Sequence, residues 1–143
     1  MTTLVNNLPQ GNMWGGRVRV FLAHVALDSQ DTGAYSLGTV PAGMRFLYGT
    51  HATDTSLGSS TVAIGIAGAT TKYKTAAVFT TTDTPTLIGA AAAIESATGA
   101  DTTSEIGSSP LGTGTEEEIL LTVAAAALPA SGNYYVALYF AGV

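Results

Sequence analysis

Apolar and polar residues alternate with a period of two along most of this chain, and that period predicts β-strands. Residues 17–27 place Arg17 and Arg19 on one face and Val18, Val20 and Leu22 on the other. Beyond Phe21 both faces turn apolar, so the far half of this strand is expected to be covered on both sides. Residues 28–33 form a turn cluster of Asp, Ser, Gln, Thr and Gly. A short strand over 35–40 is closed by Pro41, Ala42 and Gly43, and another spans 44–52. After a loop at 54–60, residues 61–68 alternate small and branched side chains, and Gly65 inside them predicts a bulge or a close backbone approach. Residues 72–79 make the next strand. Residues 117–126 and 133–140, joined by Leu-Pro-Ala-Ser-Gly, read as a terminal hairpin.

Three stretches break the pattern. Residues 1–16 fit no period: Asn6, Asn7, Pro9, Gly11, Asn12, Gly15 and Gly16 are interspersed with Leu4, Val5, Leu8, Met13 and Trp14. They read either as a frayed terminus or as an extended N-terminal arm that orders against a neighbour, since a solvated tail has no use for Met13 and Trp14. Residues 86–97 remain open between strand and helix, because Ala91 to Ala93 favour helix while Gly89 and the Thr-rich flanks favour strand. Residues 99–114 read as a long Gly/Ser loop with Pro110. About eight short strands without a clear helix predict an all-β fold over 17–143: an antiparallel β-sandwich, jelly-roll-like, preceded by the arm at 1–16.

Composition sharpens this picture. Only 10% of the 143 residues are charged while 46% are hydrophobic, against ~25% charged in an ordinary soluble domain. Such a chain has little charge with which to block strand edges or interrupt apolar surface. Much of its surface is therefore expected to be covered by copies of itself or by a larger assembly. The length suits one domain. Cysteine is absent, which excludes disulfides and thiolate metal sites. The net charge of −5 argues against a phosphate backbone or an anionic membrane as partner. The first ten residues lack the basic and apolar regions of a signal peptide, and no apolar run approaches a membrane span of ~20 residues. The expectation is a soluble protein made in the cytoplasm, or a component of a particle assembled there.

Candidate chemistry is sparse. His24 and His51 are the only histidines and show no metal-ligand spacing. His24 is expected to be packed and hydrogen-bonded, and His51 to share a local hydrogen bond with Asp54. No G-x-S-x-G elbow and no G-K-[ST] phosphate loop occur. Glu116, Glu117 and Glu118 form the only charge run, read as a solvated strand entrance, with a weak cation site or an ion pair to Arg17, Arg19 or Lys72 of a neighbouring subunit as alternatives. The reading is therefore of a protein with no catalytic residues, no metal and no cofactor. In the last strand Tyr134, Val136, Leu138 and Phe140 share one face and Tyr135, Ala137 and Tyr139 the other, neither charged. One face supplies the core. The other is expected to be covered by a loop or a subunit partner, or to serve as a sugar-stacking platform if its rings are exposed and coplanar.

The order of segments resembles a known group. The Gly/Asn-rich arm is followed by Tyr-Ser-Leu-Gly-Thr-Val-Pro-Ala-Gly (35–43), Thr-Val-Ala-Ile-Gly-Ile-Ala-Gly (61–68), Lys-Tyr-Lys-Thr-Ala-Ala (72–77) and an apolar pair of strands ending at Phe140. This is similar to the head decoration, or cement, proteins of tailed bacteriophages, over roughly residues 35–140. The resemblance implies a β-sandwich that binds the outer surface of the capsid, stabilises it by bridging neighbouring major capsid protein subunits, and forms a homo-oligomer, a dimer or trimer. It carries over no catalytic residue. Unexplained apolarity nominates Leu4, Val5, Leu8, Met13 and Trp14 as contacts to the capsid or another partner. Tyr135 and Tyr139 are nominated for the oligomer interface. The alternative is a head-fibre or tail-tip module that binds a host glycan or another virion protein.

Overall fold

A computed structural model of the chain describes residues 18–41, 44–88 and 116–142. Eight strands follow one another: β1 (Val18–Ala26), β2 (Gly33–Val40), β3 (Met44–Thr53), β4 (Thr61–Ile66), β5 (Ala69–Val78), β6 (Thr86–Ile88), β7 (Glu117–Ala124) and β8 (Asn133–Gly142). They form two four-stranded antiparallel sheets, in the orders β1-β8-β3-β6 and β2-β7-β4-β5. Every link except β4 to β5 crosses from one sheet to the other, which is the winding of a jelly roll. The expected β-sandwich is therefore the observed fold.

The expected terminal hairpin is not. β7 lies between β2 and β4, whereas β8 lies between β1 and β3 in the opposite sheet. Both are central strands that need a neighbour on each side, and an isolated hairpin would leave each with a bare edge. The intervening residues carry the chain over the end of the sandwich. Ala125 takes φ 69° and Gly132 φ 119°, and Leu128 is buried beneath the crossing. Gly65 behaves as expected from its position. A Cβ there would lie 2.2 Å from the Ala69 carbonyl oxygen and 2.4 Å from the Thr70 carbonyl carbon, and the β4–β5 register shifts beside it.

The core fills the space between the sheets with period-two faces: Tyr134, Val136, Leu138 and Phe140 from β8, and Ile119, Leu121 and Val123 from β7, all essentially inaccessible to water. Phe46 meets Tyr73 and Phe140 edge to face, at centroid distances of 4.9 and 5.6 Å, the arrangement that ring quadrupoles favour. Burying each such side chain is worth about 1.5–3 kcal/mol. β6 makes residues 86–88 of the ambiguous stretch a strand. Residues 89–97, the 99–114 loop and the 1–16 arm lie outside the described residues.

Candidate functional site: the outer face of the β1-β8-β3-β6 sheet

β1 turns its apolar face outward. Its register sets Val20 opposite Tyr139, Leu22 opposite Ala137 and His24 opposite Tyr135. Tyr139, Ala137 and Tyr135 must look outward, because their alternates Tyr134 to Phe140 fill the core. Val18, Val20 and Leu22 are thus carried to the surface, 64%, 46% and 72% exposed, while Phe21, Ala23 and Val25 pack partly against the core. The expectation of cover on both sides of this strand is not met among the described residues: the outward side is exposed.

The rows continue across the sheet. Tyr139 is opposite Tyr48, Ala137 opposite Thr50, and Tyr135 opposite Ala52, with Leu87 of β6 beyond Thr50. Two ring pairs stack along this face, Tyr48 on Tyr139 at 4.7 Å and His24 on Tyr135 at 4.8 Å. Along these three rows the outward positions (Val20, Leu22, His24, Tyr48, Thr50, Ala52, Leu87, Tyr135, Ala137 and Tyr139) carry no Asp, Glu, Lys or Arg, whereas the next row, of Val18, Ala141 and Arg45, includes an arginine. Contiguous apolar surface of this kind is found where proteins meet partners. Its middle is hollowed, because Thr50, Ala52 and Ala137 are small and lie between Leu22, Tyr135 and Pro85.

Of the residues nominated from the sequence, Tyr135 and Tyr139 do sit together on this face, Tyr135 exposed and Tyr139 half-buried under its stack. Leu4, Val5, Leu8, Met13 and Trp14 lie outside the described residues. Val18, Val20, Leu22, Tyr48 and Leu87 were not nominated. The signal for the first three was present as a clean alternation, but alternation does not say which side faces the core.

His24, His51, Asp54 and Glu117 are all bonded within the fold. His24 is exposed, hydrogen-bonded through Nε2 to Asn133 Oδ1 at 2.8 Å. Asp54 does not reach His51. Its carboxylate instead accepts the Asn133 amide N–H at 2.7 Å and the Asn133 side-chain N–H at 2.8 Å, bonds that hold its pKa below the usual carboxylate value. His51 is buried, stacked on Phe79 at 3.8 Å and hydrogen-bonded through Nδ1 to the Tyr134 hydroxyl at 2.9 Å. Glu117 is not part of a solvated entrance. It is buried against Lys72 of the same chain, with which it forms an ion pair, and it accepts a hydrogen bond from the Tyr73 hydroxyl. Burial first, then the charge and hydrogen bond of Glu117, raise the Tyr73 pKa, so this hydroxyl stays protonated. Among the described residues no three His, Asp or Glu side chains gather to hold a metal ion, and no helix is long and apolar enough to cross a membrane.

Burial, and after it the charge of Lys74, lower the His51 pKa to about 4. The unfolded chain takes up this proton near pH 6.5 and the folded chain only near 4, so the unfolded state binds more protons in between. Stability is expected to be full above pH 6.5 and to fall by about 2 kcal/mol as the pH drops to 4. Asp54 contributes only below this window, since its folded pKa lies under 3.8. Urea titrations at stepped pH check this. His51→Gln should flatten the slope between pH 6.5 and 4, and an unchanged slope would contradict the assignment.

No family model matches the chain, and no curated protein matches it. Solved structures do. One chain of the capsid asymmetric unit of cyanophage Pam1 is similar over 100% of this chain and 97% of its own length, with a TM-score of 0.64 and 21% identity. A chain of the capsid of Ralstonia phage GP4 is similar over 100% and 92%, with a TM-score of 0.60 and 14% identity. At these identities the likeness is one of fold: the jelly roll described above also occurs in chains of two phage capsids.

Proposed function

We propose that this chain is a structural protein of a phage virion that sits on the outside of the capsid, binds the assembled shell and bridges its neighbouring subunits, as a decoration or cement protein. The observation that carries the reading is the apolar outer face of the β1-β8-β3-β6 sheet, three of whose cross-strand rows hold no charged residue, in a fold shared with chains of phage capsids. A free monomer gains nothing from exposing Leu22, Leu87 and Tyr135 together, whereas a subunit in an assembly buries them. The mechanism is mass action. A protein that binds the assembled shell and not its separated subunits stabilises the shell by about RT ln(1 + [L]/Kd) per site. If each copy touches two shell subunits, avidity adds without any single strong contact. The partners are the major capsid protein and copies of this chain, and no reaction is involved.

Quantitative mass spectrometry of purified particles from the source tests this. The expected result is a copy number comparable to that of the major shell protein. A handful of copies would transfer the protein to a tail or fibre, where a glycan ligand becomes the better reading. Absence from the particle would overturn the virion role altogether.

A further inference from the structure

The outer-face hollow has a volume of about 350 Å3, with Thr50, Ala52 and Ala137 as its floor and Leu22, Tyr135 and Pro85 around it. Its size suits a large apolar side chain, and an aromatic ring gains ~150–250 Å2 of burial in such a seat. Residues 1–16 contain no charged side chain, yet they carry Leu4, Val5, Leu8, Met13 and Trp14. The lining of the hollow also has no Asp, Glu, Lys or Arg, so this segment and the hollow can be brought together without stranding any ion away from water.

We propose that the hollow receives residues 4–14 of a second copy of this chain, with Trp14 entering between Leu22 and Tyr135. The inference deepens the assembly reading above and takes its setting from it. The second copy, not the same one, is the donor for a geometric reason. The hollow lies level with Leu22, four residues into β1 and so ~13 Å from Val18. Trp14 precedes Val18 by four residues, a span of at most ~14 Å. To occupy its own hollow, the chain would have to reverse and retrace that whole distance above the sheet, leaving no length for the turn. Continuing off the end of β1 onto a neighbour requires no reversal. Exchange of this segment links copies head to tail, so it closes into a ring when the rotation between copies permits.

Trp14 is the only tryptophan, so intrinsic fluorescence reports its surroundings directly. In the purified full chain the emission is expected to be blue-shifted and shielded from acrylamide, with sedimentation showing an oligomer. Leu22→Asp lies on exposed surface and should leave the circular dichroism unchanged. It is expected to shift the emission to that of solvated indole and to reduce the mass to one chain. Trp14→Ala should likewise yield a folded single chain. Val78→Asp, exposed on the other sheet, is the control and should change neither reading. A solvated Trp14 in the wild-type protein overturns the inference. So does a shielded Trp14 in a monomer, a shielded Trp14 indifferent to Leu22→Asp, or an equal response to Val78→Asp. Copy number in particles is measured separately. An abundant virion protein with a solvated Trp14 would sink this seat while leaving the structural role standing, and the reverse result would do the opposite.

Discussion

Replacing Glu117 by alanine is expected to destabilise the protein by about 3–5 kcal/mol, the cost of removing one partner of a buried ion pair. Lys72 and Glu117 are both nearly inaccessible to water, and they join β5 to β7 across the intervening β4. Without Glu117 the Lys72 ammonium is left in apolar surroundings beside Tyr73, whose hydroxyl also loses its acceptor. For a domain of this size the loss corresponds to a fall in Tm of roughly 10 °C or more. The paired replacement Lys72→Met with Glu117→Leu should recover most of it, since apolar side chains of similar volume substitute well for a buried ion pair. Urea denaturation of Lys72→Met, Glu117→Leu and the double variant forms the required cycle. If Glu117→Ala costs less than about 1 kcal/mol, water reaches the pair and its burial has been misjudged.

Gly65→Ala is expected to cost about 3 kcal/mol, at the upper end of what overpacking usually does. The obstacle is backbone: a Cβ at this position meets the Ala69 carbonyl oxygen and the Thr70 carbonyl group, both inside 3 Å. These atoms belong to the hairpin partner strand and cannot rotate away as a side chain can. Relief requires β4 and β5 to separate locally, which gives up ladder hydrogen bonds. Gly58→Ala is the comparison, because a Cβ there meets nothing within 4 Å and only the positive φ of 65° opposes it. Equal losses at the two positions would mean that backbone conformation, and not the close approach, sets the cost at Gly65.

Gly65 is also a case where the sequence was sufficient. A glycine inside a run of alternating small and branched residues has few roles besides a bulge or a close approach, and both are present. The inward face of β8 was equally legible, since four large apolar residues at period two have only one place to go. Glu117 was not legible. It belongs to a run of three glutamates, and such runs are ordinarily solvated. Its inward direction follows from sharing a face with Ile119, Leu121 and Val123, and its tolerance there depends on Lys72, forty-five residues earlier in the chain. His51 and Asp54 lie close in sequence but on opposite sides of a surface, so the expected bond between them gave way to Tyr134 and Asn133, far along the chain.

The sequence by itself determined the class of fold, the approximate span of the strands, the core face of β8 and the shortage of charge. These depend on local period and composition, which are written residue by residue. Only the tertiary structure decided which strands pair, and hence that β7 and β8 belong to different sheets. It also decided which side of β1 faces water. An apolar alternation satisfies either orientation equally well until a neighbouring strand fixes the register, and here β8, with its own core face already committed, turned Val18, Val20 and Leu22 outward.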